Sequence, residues 1–540
     1  MRPGAALRLA LAGNRGDRLR LFLTALSVAL AALTLFGAAA VLSIRDVPQG
    51  VMLDDGRFWD EATGKAVAGV RLPYTSMLLN DVAQRPRVLF VLALLAVPLL
   101  ILAGQCTRIG APARQRRLAG LRLAGLTPGQ VTTMAATETA LAGAIGVVAA
   151  AALYPVLRIV ADRPDALGVR PLPTDVRPAW WWFVGVALCL PLAAAISTAV
   201  TIRRVRIGPL GVVRQTRPQG PRPWAGLLIA IAFGLFVAAE AVHRYYERRA
   251  QAGHPPNAGD GVVGALVLAG AVAACLGVTF GTAWIVYFTG RLLHRYARRP
   301  PAVLAGARMM ADPWSGSRAW ATLLACLTIG AGTAAAYAYQ RMEGEHQETY
   351  GRRLSAVSGE PYVLQSWVHG AERQLQLLSY ALAVMVVVAA AGVAVSLADA
   401  IVSRRRILAS LVAGGTSRRV LARSVWWQTV TPLLPAVLLA LAVGTLLPLR
   451  LQQPRLINRA QTWQTCIQAP ADPADACLNE TYAAAHTRTM HIDGWVTELR
   501  LPWDVLAAIG SGALLTVLTV TAIGLLFLRV SVRPTELRTT

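Results

Sequence analysis

Lysine is all but missing from this sequence. Lys65 is the only one among 540 residues, so the formal net charge of +25 rests on arginine. A phosphate-cradling Gly-x-x-x-x-Gly-Lys-Ser/Thr loop needs a lysine between glycines and a hydroxyl, and Lys65 has no such setting; ATP hydrolysis by that device is excluded. Charge of either sign is scarce as well. Only 15% of residues are charged and 55% are hydrophobic, which excludes an ordinary water-soluble domain. Acids and histidines are missing from the middle of the apolar runs: Glu138, Glu240 and Asp399 lie near run ends, and every histidine lies in a loop or near an end. An ion-coupled carrier keeps such groups near the bilayer centre, so that class is disfavoured. Serine, histidine and acid do not cluster at any span, Glu345-His346 runs in the wrong order for a zinc helix, and His491-Ile492-Asp493 is too short to bind a metal. An intramembrane enzyme, a metal site and a cofactor site are therefore not expected.

What is present is apolar length. Uncharged windows of roughly 20 residues recur along the chain, each long enough to cross ~30 Å of hydrocarbon at 1.5 Å per residue. They predict an all-α polytopic membrane protein with about ten spans, at about 21–44, 88–106, 134–157, 181–202, 224–242, 262–290, 319–339, 377–402, 426–449 and 505–528. Trp180, Trp181, Trp182, Trp224, Trp426, Trp427 and Trp503 fall at the proposed ends, where an amphipathic ring prefers the headgroup zone. Ala38, Ala39 and Ala40 imitate a signal-peptide cleavage site, but the first run is long and has an uncut counterpart in the seventh, so it is read as a retained span.

Arginine sets the orientation. With the N-terminus inside, the inner segments hold about 31 arginines against three acids, Asp17, Asp312 and Glu536, while the outer segments are balanced. Both termini are expected in the cytosol and the chain in a bacterial cytoplasmic membrane. These arginines are dispersed over six short segments beside spans, which fits anionic lipid headgroups of the bilayer and a cytosolic protein and not a nucleic acid.

Cys106, Cys189, Cys275 and Cys326 fall inside spans as small packing residues. Cys466 and Cys477 share the longest outer loop, about 450–504, and are either a disulfide, favoured by an oxidising exterior, or two free thiols.

The chain also repeats itself. The run from Arg116 to Thr127 aligns without gaps on the run from Arg405 to Thr416; each follows one span and leads into the next. Arg8, Gly16 and Arg18 before the first span match Arg308, Gly316 and Arg318 before the seventh. The resulting plan is 4+2+4: a four-span unit, a two-span insert and a second four-span unit, the units being parallel repeats about an axis along the membrane normal, with small extracytoplasmic loops. Boundaries are placed at 1–20 for an N-terminal segment, 21–214 for the first unit with its run at 114–130, 215–300 for the linker and insert, and 301–540 for the second unit with its run at 403–420.

In the second run Ile407, Leu408, Leu411 and Val412 share one helical side, with Arg405, Arg406 and Ser410 opposite. Gly125 and Gly414 suit the left-handed position that ends a helix, and Thr127 and Thr416 the N-cap of the next. Thr127-Pro128-Gly129-Gln130 carries a capping-box pattern with proline at the first helical position. A short interfacial helix followed by a tight turn is predicted, serving as a protein-docking surface or as a lipid anchor.

These runs resemble the signature of the FtsX-like, MacB-type permeases, Arg-Arg-x-x-x-Leu-Arg-x-x-Gly-x-Thr between the second and third spans of a four-span unit. Arg116, Arg117, Leu121, Arg122, Gly125 and Thr127 fit it, and in the second run Arg405, Arg406, Gly414 and Thr416 fit it in the same register, with Leu411 one position past the leucine; Leu118 and Ile407 stand where a glutamate is common, and Leu408 lies on the apolar side. Glu138 keeps a family glutamate at the start of the next span, and Trp427 replaces it in the second copy. The whole-chain plan is similar to the duplicated ten-span branch. The resemblance implies a separate cytosolic ABC ATPase, expected as a dimer, docked on both runs. It also implies a hydrolysis cycle that moves the spans, acting on an unknown extracytoplasmic substrate or protein, by transport or by force or signal. The outer loops are too small for the antimicrobial-peptide-resistance and periplasm-spanning branches.

Overall fold

A computed structural model describes residues 15–44, 50–52, 57–60, 65–68, 73–74, 77–80, 85–107, 120, 123–164, 169–204, 224–251, 259–358, 384–396, 417–466 and 486–531. Nine helices among them are long and apolar enough to cross a membrane, and a tenth apolar helix, Val384–Ser396, lies within the expected eighth span. In chain order they are α1 (Arg15–Leu42), α2 (Arg85–Cys106), α3 (Pro128–Ala161), α4 (Trp180–Arg204), α5 (Trp224–Gln251), α6 (Gly259–Tyr296), α7 (Pro313–Ser358), α8 (Val384–Ser396), α9 (Arg418–Leu449) and α10 (Trp503–Ser531). The protein is an all-α polytopic membrane protein on the 4+2+4 plan. Bilayer physics accounts for the choice, because without water every backbone amide must be satisfied inside its own helix.

The two units are built alike. In the first, α1 packs against α2 and α3, and α3 against α4; in the second, α7 packs against α9 and α10, and α9 against α10. Small residues permit these crossings. A Cβ on Gly146 of α3 would overlap the Ala25 carbonyl of α1, and one on Gly444 of α9 would overlap the Thr328 carbonyl of α7. Such close backbone approach is how membrane helices gain packing contact without a hydrophobic drive.

The insert belongs to one side. Helices α5 and α6 pack on each other, and α6 then packs on α7, α9 and the short helix Pro300–Ala311. Gly290 and Gly306 bring α6 against that short helix, where a Cβ on Gly306 would stand 2.7 Å from the His294 backbone nitrogen. The largest buried cluster accordingly joins Phe236, Cys275, Val278, Trp320, Leu324, Leu433 and Val437.

Opposite the arginine-rich side, each unit ties the segment after its first helix to the loop between its third and fourth. In the first unit, backbone N–H of Arg170 donates to Pro73 O at 2.9 Å and Tyr74 O–H donates to Asp175 at 3.0 Å. Burial pushes the Tyr74 phenol well above its ordinary value, and the Asp175 carboxylate adds to the shift. Hydrogen bonds from Arg170 and Thr174 hold the Asp162 carboxyl below its usual range.

In the second unit the loop is an antiparallel ribbon: β4 (Arg455–Asn458) pairs with β7 (Trp495–Glu498) and β5 (Gln461–Cys466) with β6 (Thr487–Ile492). Pairing runs from Arg455↔Glu498 to Asn458↔Trp495 and resumes in the same register at Gln461↔Ile492. Gly494 permits the break, since a Cβ there would lie 2.9 Å from both Ala460 N and Asn458 O. A smaller three-stranded antiparallel sheet, β1 (Gly50–Met52), β2 (Arg57–Asp60) and β3 (Lys65–Ala68), follows α1.

The ribbon leans on α7, which at 46 residues is roughly 69 Å long and runs well beyond the expected end near Tyr339. Trp495 Nε1–H donates to His346 Nδ1 at 3.1 Å, the Arg353 guanidinium lies 4.8 Å from the Trp495 ring centre, and Arg353 donates to Asp493 O at 2.8 Å. Thr497 Oγ1 lies 2.9 Å from His346 Nδ1, and the Tyr350 and Trp495 rings stack. Positions 346, 350 and 353 recur at one-turn spacing, so a single stripe of the α7 extension makes the joint.

Candidate functional site on the arginine-rich side

The first basic run ends in a defined turn. Gly125 takes φ +94°, a left-handed conformation that no side chain favours, and ends the chain's approach to α3. Thr127 is the N-cap of α3: Gln130 N–H donates to Thr127 Oγ1 at 3.3 Å, and Thr127 N–H donates to Gln130 Oε1 at 3.0 Å. Pro128 fills the first helical position. Sequence pattern and geometry agree here, and the direction in which the first run enters α3 is fixed.

The second copy begins its helix one residue later than expected. Ser417 occupies the N-cap position of α9 without a side-chain hydrogen bond, in place of Thr416. Ser417 is thus a weaker stop than the reciprocal box of the first copy. Arg116, Arg117, Leu118, Leu121 and Arg122 lie outside the described residues, as do Arg405, Arg406, Ile407, Leu408, Leu411, Gly414 and Thr416. So does Cys477, along with the side chain of Cys466. Cys106, Cys189, Cys275 and Cys326 are free thiols.

Eleven residues past the cap, α3 presents a carboxylate that sequence reasoning placed near a span end without a partner. Glu138 accepts from Arg20 of α1 at 3.2 Å, with both side chains 5% exposed. Asp17 stands 3.9 Å from the same guanidinium. One residue on, Thr139 Oγ1 accepts from Thr198 of α4 at 3.1 Å, so consecutive α3 residues bind α1 and α4. The missed signal was physical: an acid inside an apolar helix needs a cation, and Arg20 opens the adjoining helix. A carboxylate neutralised in this way is poorly suited to carrying ions, which weighs further against a coupled carrier. Among the described residues no group of His, Cys, Asp and Glu could hold a metal ion.

Two units of one architecture each carry a basic run in sequence between their second and third helices. The FtsX-like permease C-terminal family model matches residues 88–210 and 379–532. The chain belongs to the FtsX-like permease family. The first match runs from α2 past α4 and the second from ahead of α8 to the end of α10, so this FtsX-like permease carries the family domain twice. No curated protein and no solved structure matches it. Permeases of this family are membrane components of ABC transporters, typically without enzymatic activity of their own.

Proposed function

We propose that this permease couples ATP hydrolysis in a separate cytosolic ATPase to movement of its spans, and through them to transport of an unknown substrate or to force delivered at the outer surface. The ATPase, a dimer, docks one subunit on each basic run. The observation carrying this reading is the duplication of the run in register between the second and third helices of both matched domains, one copy delivered into α3 through the left-handed Gly125 and the capped Thr127. Arginine asymmetry supports a cytosolic location for both runs and both termini, in a bacterial cytoplasmic membrane. The long α7 and the ribbon joined to it form the outer end of the machine, well placed to register relative motion of α7, α9 and α10.

Co-purification tests the proposal. An ATPase encoded beside this chain, expressed with it, should be captured through a tag on the permease in detergent and should hydrolyse ATP faster in the complex. No capture of that ATPase at equal expression sinks the reading.

A further inference from the structure

The two units differ where they should be most alike. In the repeat register Arg20 corresponds to Trp320 and Glu138 to Trp427, so the buried ion pair of the first unit is replaced by tryptophans in the second. Trp320 is 3% exposed within the main apolar cluster. Bracing differs as well. On α7, Thr322 and Cys326 are buried, Cys326 in one cluster with Cys275 of α6. Their α1 counterparts Phe22 and Leu26 are exposed, in a stripe with Leu19 and Leu30. Of the apolar window of α7, 78% lies inside the protein, against 44% for α1.

Small residues on α7 and large ones on α1 match those surroundings, since small residues admit a packed helix and large apolar ones suit lipid. The joint between α7 and α9 is therefore clamped from outside by α6 and the short helix Pro300–Ala311. The joint between α1 and α3 has no insert helix packed along it among the described residues: it is held by the Ala25–Gly146 crossing, by the apolar cluster that brings Val28 and Phe36 to Val147 and Tyr154, and, on the arginine-rich side, by the Arg20–Glu138 pair.

We propose that the two docking elements are mechanically unequal: α3, which carries the first run, swings against α1 through a releasable joint held shut by Arg20 and Glu138, while α9 is fixed. The pair suits a two-state restraint. Buried, each charge needs the other at short range; parted, each is stable only when hydrated. Water is near, because Arg18 and Leu19 on the adjoining turn are exposed. In the second unit Trp320, buried, and Trp427, 40% exposed, carry no charge that water could stabilise in a second state. Arg20 and Glu138 are thus positioning residues for the first run, an inference that rests on the docking reading above.

Hydrogen exchange of the full-length permease in nanodiscs, without ATPase, tests it. Glu138→Gln removes the carboxylate at 3.2 Å, leaving Arg20 the more distant Asp17 at 3.9 Å, and should speed exchange about tenfold or more in 15–27 and 128–140 while 418–430 stays unchanged. The exchanged pair Arg20→Glu with Glu138→Arg should restore the slow rates, which a merely misfolded variant would not do. The apolar pair Arg20→Met with Glu138→Met has no charge for water to stabilise in a parted state and should keep exchange in both segments as slow as in the parent or slower. Unchanged exchange in Glu138→Gln, or an equal rise in 418–430, would overturn the proposal. Failure of the docking reading shows separately, as loss of ATPase capture by the unaltered permease.

Discussion

Leu99 of α2 and Val388 of α8 occupy the same position of the two repeats, and they meet in one buried cluster with Ala31, Leu102 and Cys106. Cys106 and its counterpart Val395 are drawn into the same cluster. A residue that meets its own equivalent marks a twofold axis, as in an isologous dimer interface. The pseudo-twofold axis therefore passes between α2 and α8, the helices that lead into the two basic runs. Gln105 of α2 extends the contact by accepting from Thr322 of α7 at 2.9 Å.

The helix crossings within each unit give a stability prediction. Gly146→Ala and Gly444→Ala each drive a methyl into backbone, against Ala25 and Thr328 respectively, where no flexible side chain can yield. Overpacking of this kind costs about 1–3 kcal/mol, and each variant should melt earlier in detergent. Gly185→Ala and Gly234→Ala meet nothing within 4 Å and should be neutral or slightly stabilising. Equal melting of all four variants would contradict the crossings.

Much of this architecture is legible in sequence, since span positions follow from hydrocarbon thickness and the Thr127 cap from four consecutive residues. Long-range pairing is not. Arg20 and Glu138 are 118 positions apart, and no local pattern joins them. Hydropathy also cannot see the outer third of α7, where helix continues through charged residues supported by the spaced pairs Arg341–Glu345 and Arg352–Glu348. The ribbon escaped for a related reason: its strands are short, polar and separated by 20 residues from Cys466 to Thr487, so no turn signal links them.

The joint between α7 and the ribbon should weaken in acid. Trp495 donates to His346 Nδ1, which requires a bare ring nitrogen, and burial lowers the His346 pKa below its ordinary 6.5. A histidine with a depressed folded pKa stabilises the joint fully above pH 6.5, and that stability is lost as pH falls through the folded value. Arg353 faces the same ring cluster, while Asp493, bonded to His491 at 3.2 Å, sits at the ribbon's break. Proteolysis of the ribbon is the measurement: cleavage within 455–498 should rise as pH falls below 6.5 in the parent and be high at all pH in His346→Ala. A pH-independent digest would contradict the role of His346.

Cys466 ends β5 opposite Thr487, with Cys477 in the connection between strands β5 and β6. We propose that they are bonded. Closing so short a loop is worth roughly 2 to 3 kcal/mol of chain entropy, enough to order the tip of the ribbon. Cys466→Ser should expose Cys477 to an impermeant maleimide that does not label the parent without reductant. Equal labelling with and without reductant rejects the bond.

Orientation is testable with single labels. Gln215→Cys, in the arginine-rich segment after α4, should react only from the cytosol, and Ser355→Cys, on the far extension of α7, only from outside. Reaction of both from one side would overturn the orientation and with it the placement of the basic runs.

The docking proposal makes the sharpest demand. If each run seats one ATPase subunit, Arg405→Glu with Arg406→Glu replaces two attractions by two repulsions. Each exposed pair is worth up to ~1 kcal/mol, so capture should weaken several-fold to tens-fold with no loss of permease from the membrane. The apolar side should matter more. Leu411→Asp places an unpaired charge against a packed groove and should cost a few kcal/mol on docking. A run that only anchors to lipid behaves otherwise: both changes would alter yield or membrane seating and leave capture intact. Co-purification with the adjacent ATPase, at matched expression, separates the alternatives, and undiminished capture by Leu411→Asp combined with Arg117→Glu in the first run would end the docking proposal.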